Sequence, residues 1–342
     1  MSIIDADAHV VESEKTWTYM TGADAAFRPQ TVKLAGPDGV EREHWALDGR
    51  LVSKGPISVD EMTRAQREMD DIPGRLAHMD QLGTDIQVLY PTIFLGPITE
   101  KPEAEAALYR SYNRWLADIW RESNGRMRWA VMLPYMSLSV ALDELRFGLE
   151  NGACGVFIRG IDANRQPSDP YFFPIYAAAQ EANIPICVHA ATGSFAVHDF
   201  FGEDPGIWRF KVPGINAFHS LLMQEVPSRF PTLRWCFVEL AAQWVPYALH
   251  DMVRRKEKRG KPMDKRSVVA DNRFYVACQT DDDIPYVCSY TGADNLIMGT
   301  DYGHSDTSSE LEALVRLKEM PEVGPELAAK ILDTNARVAY GL

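Results

Sequence analysis

The sequence lacks the features that mark secreted, membrane-spanning and metal-ribbon proteins. Its 342 residues contain five cysteines, an odd number, and no two of them have C-x-x-C spacing. Unpaired thiols within apolar runs are typical of a reducing compartment, so we expect a cytoplasmic protein. No apolar run approaches the ~18 residues that cross a bilayer, and we therefore predict no membrane span.

The sequence is also short of positive charge. The 35 Lys and Arg residues are outnumbered by 48 Asp and Glu residues, and the net charge of −13 argues against nucleic acid or an anionic membrane as partner. The phosphate-binding patterns G-x-G-x-x-G and G-x-x-x-x-G-K-[ST] do not occur. The remaining composition is that of an ordinary globular protein, and we expect a small molecule as its partner.

Eight short apolar runs recur along the chain, with helical patterns between them. The runs are residues 3–8, 86–90, 129–134, 155–158, 185–189, 234–240, 274–278 and 296–300. Continuous apolar strands that alternate with helices form parallel sheets, and eight of them predict a (β/α)8 TIM barrel. A doubly wound open sheet is the alternative, but it usually has fewer strands and a glycine-rich phosphate loop.

One segment, residues 11–60, interrupts this alternation. It contains two runs of alternating polarity on either side of Gly-Pro-Asp-Gly, which predicts a hairpin inserted after the first strand of a distorted barrel. Loops that follow barrel strands surround the active site, so the insert would form one wall of a pocket. No composition break marks a second domain, and we treat residues 1–342 as one domain.

Polar side chains stand where the predicted strands end. They are Asp7 and His9 on the first strand, Arg159 on the fourth, His189 on the fifth, Glu239 on the sixth and Asp301 on the eighth. The carboxyl ends of barrel strands share one rim, and the chemistry of such barrels takes place there. Six such groups at one rim are hard to explain by packing, because a buried charge must be paired or bind something.

Imidazoles and carboxylates together form a ligand set for a divalent metal ion. We predict Asp7, His9 and His189 as ligands, and Asp301 as a fourth ligand or as the base that takes a proton from water. One zinc ion is the expected cofactor, and manganese, iron and cobalt also suit these ligands. Asp5 lies deeper in the strand, where we expect it to orient a ligand or to have a structural role.

Two residues of the rim keep alternative roles. Glu239 is either part of the metal site, where it would act as an acid or base, or a buried structural group. Arg159 either binds a substrate carboxylate in bidentate fashion or pairs with Glu239 or Asp301.

Three histidines outside the strand ends are candidates for the pocket. His219 begins a helix before the sixth strand and could act as an acid or base, or simply pack. His198 lies in an aromatic-rich loop after the fifth strand and could contact substrate. His304 follows Asp301 by three residues, so it could orient that acid or contact substrate.

The chain resembles the amidohydrolase superfamily, in the amidohydrolase-related branch that includes aminocarboxymuconate-semialdehyde decarboxylase. The matching segments are DADAH, RLAHMDQLGTDIQVLYPT, ANIPICVHA, RFPTLRWCFVELAAQWVPYALHDM, LIMGTDYGHSD and ILDTNARVAYGL. The resemblance implies a distorted (β/α)8 barrel, one divalent metal ion, and Asp7, His9, His189 and Asp301 at the metal positions. It also implies a homodimer or a larger homo-oligomer.

Two departures from the family pattern bear on mechanism. Many decarboxylases of this branch carry a water-activating His in an H-G-G-like motif on the sixth strand, whereas this chain has Glu239 followed by Leu-Ala-Ala. Relatives with two metal ions carry a carboxylated Lys at the end of the fourth strand. Arg159 stands there in this chain, which favours one metal ion over two.

The resemblance implies an enzyme that hydrolyses, hydrates or decarboxylates small carboxylated substrates. We expect a lyase that removes CO2 without oxidation from an aromatic or unsaturated carboxylate, with Asp301 and Glu239 moving the proton and Arg159 fixing a charged substituent. A metal-dependent hydrolase of an amide, lactone or cyclic ester is the alternative. A non-catalytic barrel without metal is the third reading, but none of the four ligand positions is replaced.

Overall fold

The computed structural model describes residues 2–54, 61–202 and 206–342. Its strands are β1 (Ile4–His9), β2 (Gln30–Ala35), β3 (Glu41–Leu47), β4 (Arg50–Ser53), β5 (Ile86–Tyr90), β6 (Met127–Val131), β7 (Ala153–Arg159), β8 (Ile186–His189), β9 (Trp235–Val238), β10 (Phe274–Cys278) and β11 (Leu296–Met298). Eight of them pair in parallel in the order β1-β5-β6-β7-β8-β9-β10-β11. The predicted (β/α)8 TIM barrel is confirmed, and each of the eight apolar runs overlaps one of these strands.

Helices follow the strands and cover the outside of the sheet. They are α1 (Arg64–Arg67), α2 (Ile72–Gln81), α3 (Pro102–Glu122), α4 (Leu138–Glu150), α5 (Phe173–Glu181), α6 (Phe195–Phe200), α7 (Val212–Met223), α8 (Val226–Arg229), α9 (Trp244–Lys258), α10 (Val268–Asp271), α11 (Ile284–Thr291), α12 (Ala313–Glu319), α13 (Gly324–Ala329) and α14 (Asn335–Tyr340). Within the described ranges, none of these helices combines the length and the apolarity needed to cross a bilayer. The cytoplasmic location stays a prediction.

The barrel closes at a seam between its first and last strands. β11 has only three residues, so the contact with β1 is made by the segment that follows it: the Asp301 amide donates to the Asp7 carbonyl at 2.9 Å, and the His9 amide donates to the Tyr302 carbonyl. Gly299 permits this approach, because a Cβ at that position would lie 2.1 Å from Asp7 Cβ. The closure places the end of β1 beside the segment that follows β11, at the rim of the barrel.

The insert after β1 contains the predicted hairpin, formed by β2 and β3 on either side of residues 36–39, and a third strand, β4, extends it to a three-stranded sheet. β2, β3 and β4 pair antiparallel, and β3 directs Trp45 and Leu47 into the protein core. The third strand was missed because β4 is only four residues long and mostly exposed. Residues 55–60, the end of the predicted insert, lie outside the described residues.

Asp5 holds the seam together from within. The carboxylate is fully buried and accepts hydrogen bonds from the Thr300 amide at 2.9 Å, the Thr300 hydroxyl at 2.6 Å and Gln87 Nε2 at 3.1 Å. Burial raises the pKa of Asp5 to about 6, although these bonds oppose the rise. Asp5 therefore ties β1 to β5 and to the segment after β11, which fits the structural role expected for it.

We predict that Asp5→Ala lowers the free energy of unfolding by about 3–5 kcal/mol, because it leaves several buried donors without an acceptor. Urea unfolding, measured after chelator treatment so that ion binding does not contribute, tests this. Asp85→Ala is the matched control. Asp85 is exposed and accepts one bond, from the Ile3 amide at 2.7 Å, so we expect a loss of about 1 kcal/mol. Equal losses in the two variants would contradict the assignment.

Candidate metal centre

Four side chains at the carboxyl-terminal rim of the barrel come close enough to share one ion. Asp7 and His9 belong to β1, His189 ends β8 and Glu239 follows β9, and one ligand atom from each lies within 4.8 Å of the others. His9 Nε2 lies 3.4 Å from Asp7 Oδ1 and 3.6 Å from Glu239 Oε2. His189 Nε2 lies 3.4 Å from the same Asp7 oxygen and 3.5 Å from the same Glu239 oxygen. Imidazoles and carboxylates thus alternate around one centre.

Backbone carbonyl groups orient the two imidazoles. His9 Nδ1 lies 2.9 Å from the Pro91 carbonyl oxygen, and His189 Nδ1 lies 3.4 Å from the Ala190 carbonyl oxygen. A carbonyl oxygen can accept a hydrogen bond but cannot donate one. Each Nδ1 therefore carries the N–H, and each Nε2 keeps its lone pair for the centre. This is the usual arrangement of histidines that bind a metal ion.

Asp301 and His304 extend the centre on the side of His9. Asp301 Oδ1 lies 3.3 Å from His9 Nε2 and 2.7 Å from His304 Nδ1. The His304 ring stacks on the His9 ring with centroids 3.9 Å apart, and its Nε2 lies 2.9 Å from the Thr92 hydroxyl. His9, Glu239, Asp301 and His304 form a second group of potential ligands, so His9 and Glu239 belong to both groups.

Two of the acids stand on strained backbone. Glu239 has a φ of +60° and Asp301 has a φ of +53°, each shortly after the end of a barrel strand. A non-glycine residue in this left-handed region costs roughly 1–3 kcal/mol, and such residues cluster at functional sites. The turn directs each carboxylate back toward the rim instead of along the strand.

Burial and neighbouring charges shift the pKa values of the acids in opposite directions. Burial opposes ionisation of Asp7, but hydrogen bonds with His189 and His9 outweigh it and hold the pKa of Asp7 below its ordinary range. Burial and the charge of Asp301 raise the pKa of Glu239. Burial, aided by the charge of Asp7, raises the pKa of Asp301 well above its ordinary value. Asp7 therefore ionises more readily than an ordinary aspartate, whereas Glu239 and Asp301 ionise less readily than ordinary acids.

The geometry of the centre fits a divalent ion. Among the described residues, five of its buried polar atoms make no hydrogen bond of proper geometry: His9 Nε2, Glu239 Oε2, Asp301 Oδ1, Asp301 Oδ2 and His304 Nδ1. Buried polar atoms of this kind need a partner. Ligands placed tetrahedrally at ~2.0–2.2 Å from an ion are separated by about 3.3–3.6 Å, which matches the separations between the imidazole and carboxylate atoms.

The grouping differs from the predicted ligand set in one member. Asp7, His9 and His189 come together, but the fourth residue within reach of all three is Glu239, and Asp301 belongs to the overlapping group instead. Glu239 Oε2 lies within 3.6 Å of both His9 Nε2 and His189 Nε2, whereas among the described residues the ion pairs of Asp301 are with His9 and His304. A catalytic role for Asp301 stays a prediction.

The predicted roles of Arg159 are wrong, because its side chain is committed elsewhere. Arg159 is buried and pairs with Asp162, to which Nε donates at 3.0 Å and Nη2 also donates. Nη1 donates to the carbonyl oxygens of Phe94 and Gly96, and Nη2 donates to the Tyr109 hydroxyl. Every guanidinium N–H is used, so no donor remains for a substrate carboxylate, Glu239 or Asp301.

The other two predicted histidines lie in different places. His219 is on α7, and its Nε2 lies 3.4 Å from Asp251 Oδ2 on α9, with both side chains partly exposed. It is in neither ligand group of the described residues, and its predicted role as an acid or base stays a prediction. His198 is on α6 and lines the largest cavity described below, as a substrate contact would require, and that contact stays a prediction.

A cavity of about 490 Å³ opens beside His304. Its walls come from β4, from the segment after β5, from residues 195–198 and 209–210, and from the segment after β11. The described lining includes four basic side chains, Arg50, Lys54, Arg67 and Arg209, and one acidic side chain, Asp306. A second cavity of about 310 Å³ shares part of this lining and reaches Glu239. The centre is thus accessible from a basic pocket in an acidic protein.

Sequence reasoning missed two residues that support the centre. The Thr92 hydroxyl contacts His304 and donates to the Val10 carbonyl at 2.7 Å. Glu12 is buried and accepts from the Thr92 and Ile93 amides at 3.1 and 2.9 Å, and burial raises its pKa to about 7. Thr92 follows the second barrel strand by two residues, so its position at the rim was the available signal.

Solved structures with the same barrel include enzymes with known names. An amidohydrolase from Mycobacterium avium subsp. paratuberculosis K-10 matches with a TM-score of 0.77 and 21% identity over 100% of this chain and 98% of its own. The 2,6-dihydroxybenzoate decarboxylase from Rhizobium matches with a TM-score of 0.67 and 15% identity over 100% of this chain and 99% of its own. The 5-carboxyvanillate decarboxylase from Novosphingobium aromaticivorans, solved with manganese, matches with a TM-score of 0.66 and 21% identity over 79% and 80%.

These likenesses establish the shared barrel and no more, because identity this low says nothing of the substrate. The family assignment comes from a different comparison. The family model described as Amidohydrolase matches residues 4–342, from the first barrel strand to the last residue. That match covers the ligand-bearing ends of all the strands described above, and the protein therefore belongs to the amidohydrolase family.

Proposed function

We propose that the protein is a metal-dependent carboxy-lyase that removes CO2 without oxidation from a small aromatic or unsaturated carboxylate. One observation carries the proposal: a centre of buried imidazoles and carboxylates opens onto a cavity whose described lining holds four basic side chains and one acidic one. A pocket of this charge favours an anionic substrate. Its volume of about 490 Å³ has room for a substituted ring.

Two relatives with the same barrel add support, because their names give decarboxylation of dihydroxybenzoate and carboxyvanillate. The structure of the second contains manganese. We propose one divalent ion for this chain, with zinc as the first candidate. The homodimer implied by the family resemblance also stays a proposal.

Asp7, His9, His189 and Glu239 would hold the ion, since their ligand atoms have the required separations. When bound, a divalent ion supplies electrostatic stabilisation for negative charge that develops on substrate oxygens. The Nδ1 contacts of both histidines with backbone carbonyls keep the rings oriented for this task.

Asp301 is the residue that we assign to proton transfer. Its carboxylate lies between His9 and His304, and within the described structure neither of its oxygens has a well-aligned hydrogen bond. In the proposed reaction a proton from Asp301 forms the new C–H bond on the substrate carbon. The bond from that carbon to the carboxylate breaks, CO2 leaves, and solvent returns a proton to Asp301. His304 positions the acid, and Thr92 in turn fixes His304.

We predict that His189→Ala removes the ion, because it deletes one of the four converging ligand atoms. Elemental analysis of the purified protein should give about one divalent ion per wild-type chain and a small fraction of that in the variant. His219→Ala is the matched control, since His219 faces Asp251 and should leave the ion content unchanged. Full ion content in His189→Ala would contradict the ligand assignment.

The fourth ligand can be identified by a paired comparison. We predict that Glu239→Gln weakens ion binding by about tenfold or more, measured by competition with a chelator, and that Asp301→Asn weakens it less. The reason is that Glu239 lies within reach of Asp7, His9 and His189 together, whereas Asp301 does not. A larger loss in Asp301→Asn would restore the ligand set predicted from the sequence.

We predict that the ion-loaded protein releases CO2 from a hydroxylated benzoate, with 2,6-dihydroxybenzoate and 5-carboxyvanillate as first probes. Asp301→Asn should retain the ion and lower kcat by about 10²–10⁴-fold, because it removes the proton donor. Asp333→Asn is the control, since Asp333 contacts Ser2 and Arg337 at the opposite end of the barrel. Hydrolysis of amides or lactones without CO2 release from any carboxylate would favour the hydrolase instead.

A further inference from the structure

Arg75 is a fully buried arginine that lies behind the metal centre. It belongs to α2, and its side chain crosses from that helix to the backbone of β1. Burying a guanidinium is costly unless its charge is paired or its donors are satisfied. Among the described residues Arg75 forms no ion pair, and its side-chain hydrogen bonds go to the uncharged oxygen atoms of Gln87 and of the His9 backbone. The burial of Arg75 therefore needs another explanation.

The donors of Arg75 converge on a residue of the centre. Nη1 and Nη2 each lie 3.3 Å from the carbonyl oxygen of His9. The guanidinium carbon also lies 3.5 Å from the centre of the Tyr302 ring, and the Tyr302 carbonyl accepts the His9 amide. Arg75 thus contacts the carbonyl group of His9, and Tyr302 accepts the hydrogen bond of its amide. His9 belongs to both groups of potential ligands, so its position affects the whole centre.

A second branch runs from Arg75 to the barrel seam. Its Nε donates to Gln87 Oε1 at 2.9 Å, which leaves the Gln87 amide nitrogen to donate to Asp5. Asp5 in turn accepts from the amide and hydroxyl of Thr300, the residue before Asp301. Arg75 is therefore connected through buried hydrogen bonds to the backbone on both sides of the seam.

We propose that Arg75 is a positioning residue of the metal centre, which fixes the backbone of His9 directly and the backbone before Asp301 through Gln87 and Asp5. This inference rests on the proposed metal-dependent function. Arg75 does not touch the substrate cavity, and it acts on the ion only through the ligands that it holds. Groups that orient metal ligands in this way typically change metal affinity by about 10–100-fold when they are replaced.

The test measures zinc affinity of the full-length protein, by competition with a chelator, together with the urea midpoint of unfolding. We expect Arg75→Met, which keeps the length and loses the donors and the charge, to bind zinc about tenfold or more weakly. Arg128→Met is the matched control, because Arg128 also donates to a backbone carbonyl, that of Gly152 at 2.8 Å, at the amino-terminal end of the barrel. We expect Arg128→Met to lower the unfolding midpoint and to keep zinc affinity within about twofold of wild type.

Arg75→Lys provides a second variant if Arg75→Met does not fold. Lysine keeps the charge and can donate to the His9 carbonyl but cannot also reach Gln87 in the same geometry, so we expect a severalfold loss of zinc affinity. Wild-type affinity in the folded variant, or equal losses in Arg75→Met and Arg128→Met, would overturn the inference while the proposed function stands. A wild-type protein that takes up no ion would contradict the proposed function itself and the inference with it.

Discussion

The crowding of carboxylates around two imidazoles is the constraint on which the rest of the site depends. Asp7, Glu239 and Asp301 approach one point in a region of low solvent exposure, where like charges repel strongly. Positive charge at the centre and a backbone that holds the acids in place both stabilise such an arrangement. The seam of the barrel supplies that backbone, since β1 carries one acid, the segment after β11 carries another, and Asp5 joins the two.

The cavity is built by parts of the chain that the barrel does not require. The edge of the inserted sheet and residues 195–198 and 209–210 form part of its walls, and they contribute most of its basic side chains. The barrel therefore positions the ion, whereas the added segments decide what can approach it. The fold is a property of the barrel, whereas the choice of substrate depends on the added segments. Arg159 lies at the rim but has a structural role, because its charge is paired with that of Asp162.

Much of the fold could be predicted from the sequence for a simple physical reason. Parallel strands covered on both faces read as continuous apolar runs, and each of the eight predicted runs overlaps a strand. The same pattern located the polar residues at the strand ends, including Asp7, His9 and His189. The third strand of the insert was missed, since a four-residue exposed strand such as β4 has no apolar periodicity to detect. No local pattern distinguished Glu12 from other polar loop residues, and the position of Thr92 two residues after β5 was its one signal.

The sequence by itself determined the barrel, the rim and the chemical types of the candidate ligands, because hydrophobic periodicity and residue type are local properties. Only the tertiary structure decided which acid joins Asp7, His9 and His189. Glu239 and Asp301 both have a left-handed backbone conformation, and no spacing rule reveals which of the two carboxylates reaches both His9 and His189. The tertiary structure also decided that His219 on α7 lies beside Asp251 on α9. Distances between residues far apart in the chain depend on how strands close and helices pack, and only the folded molecule fixes them.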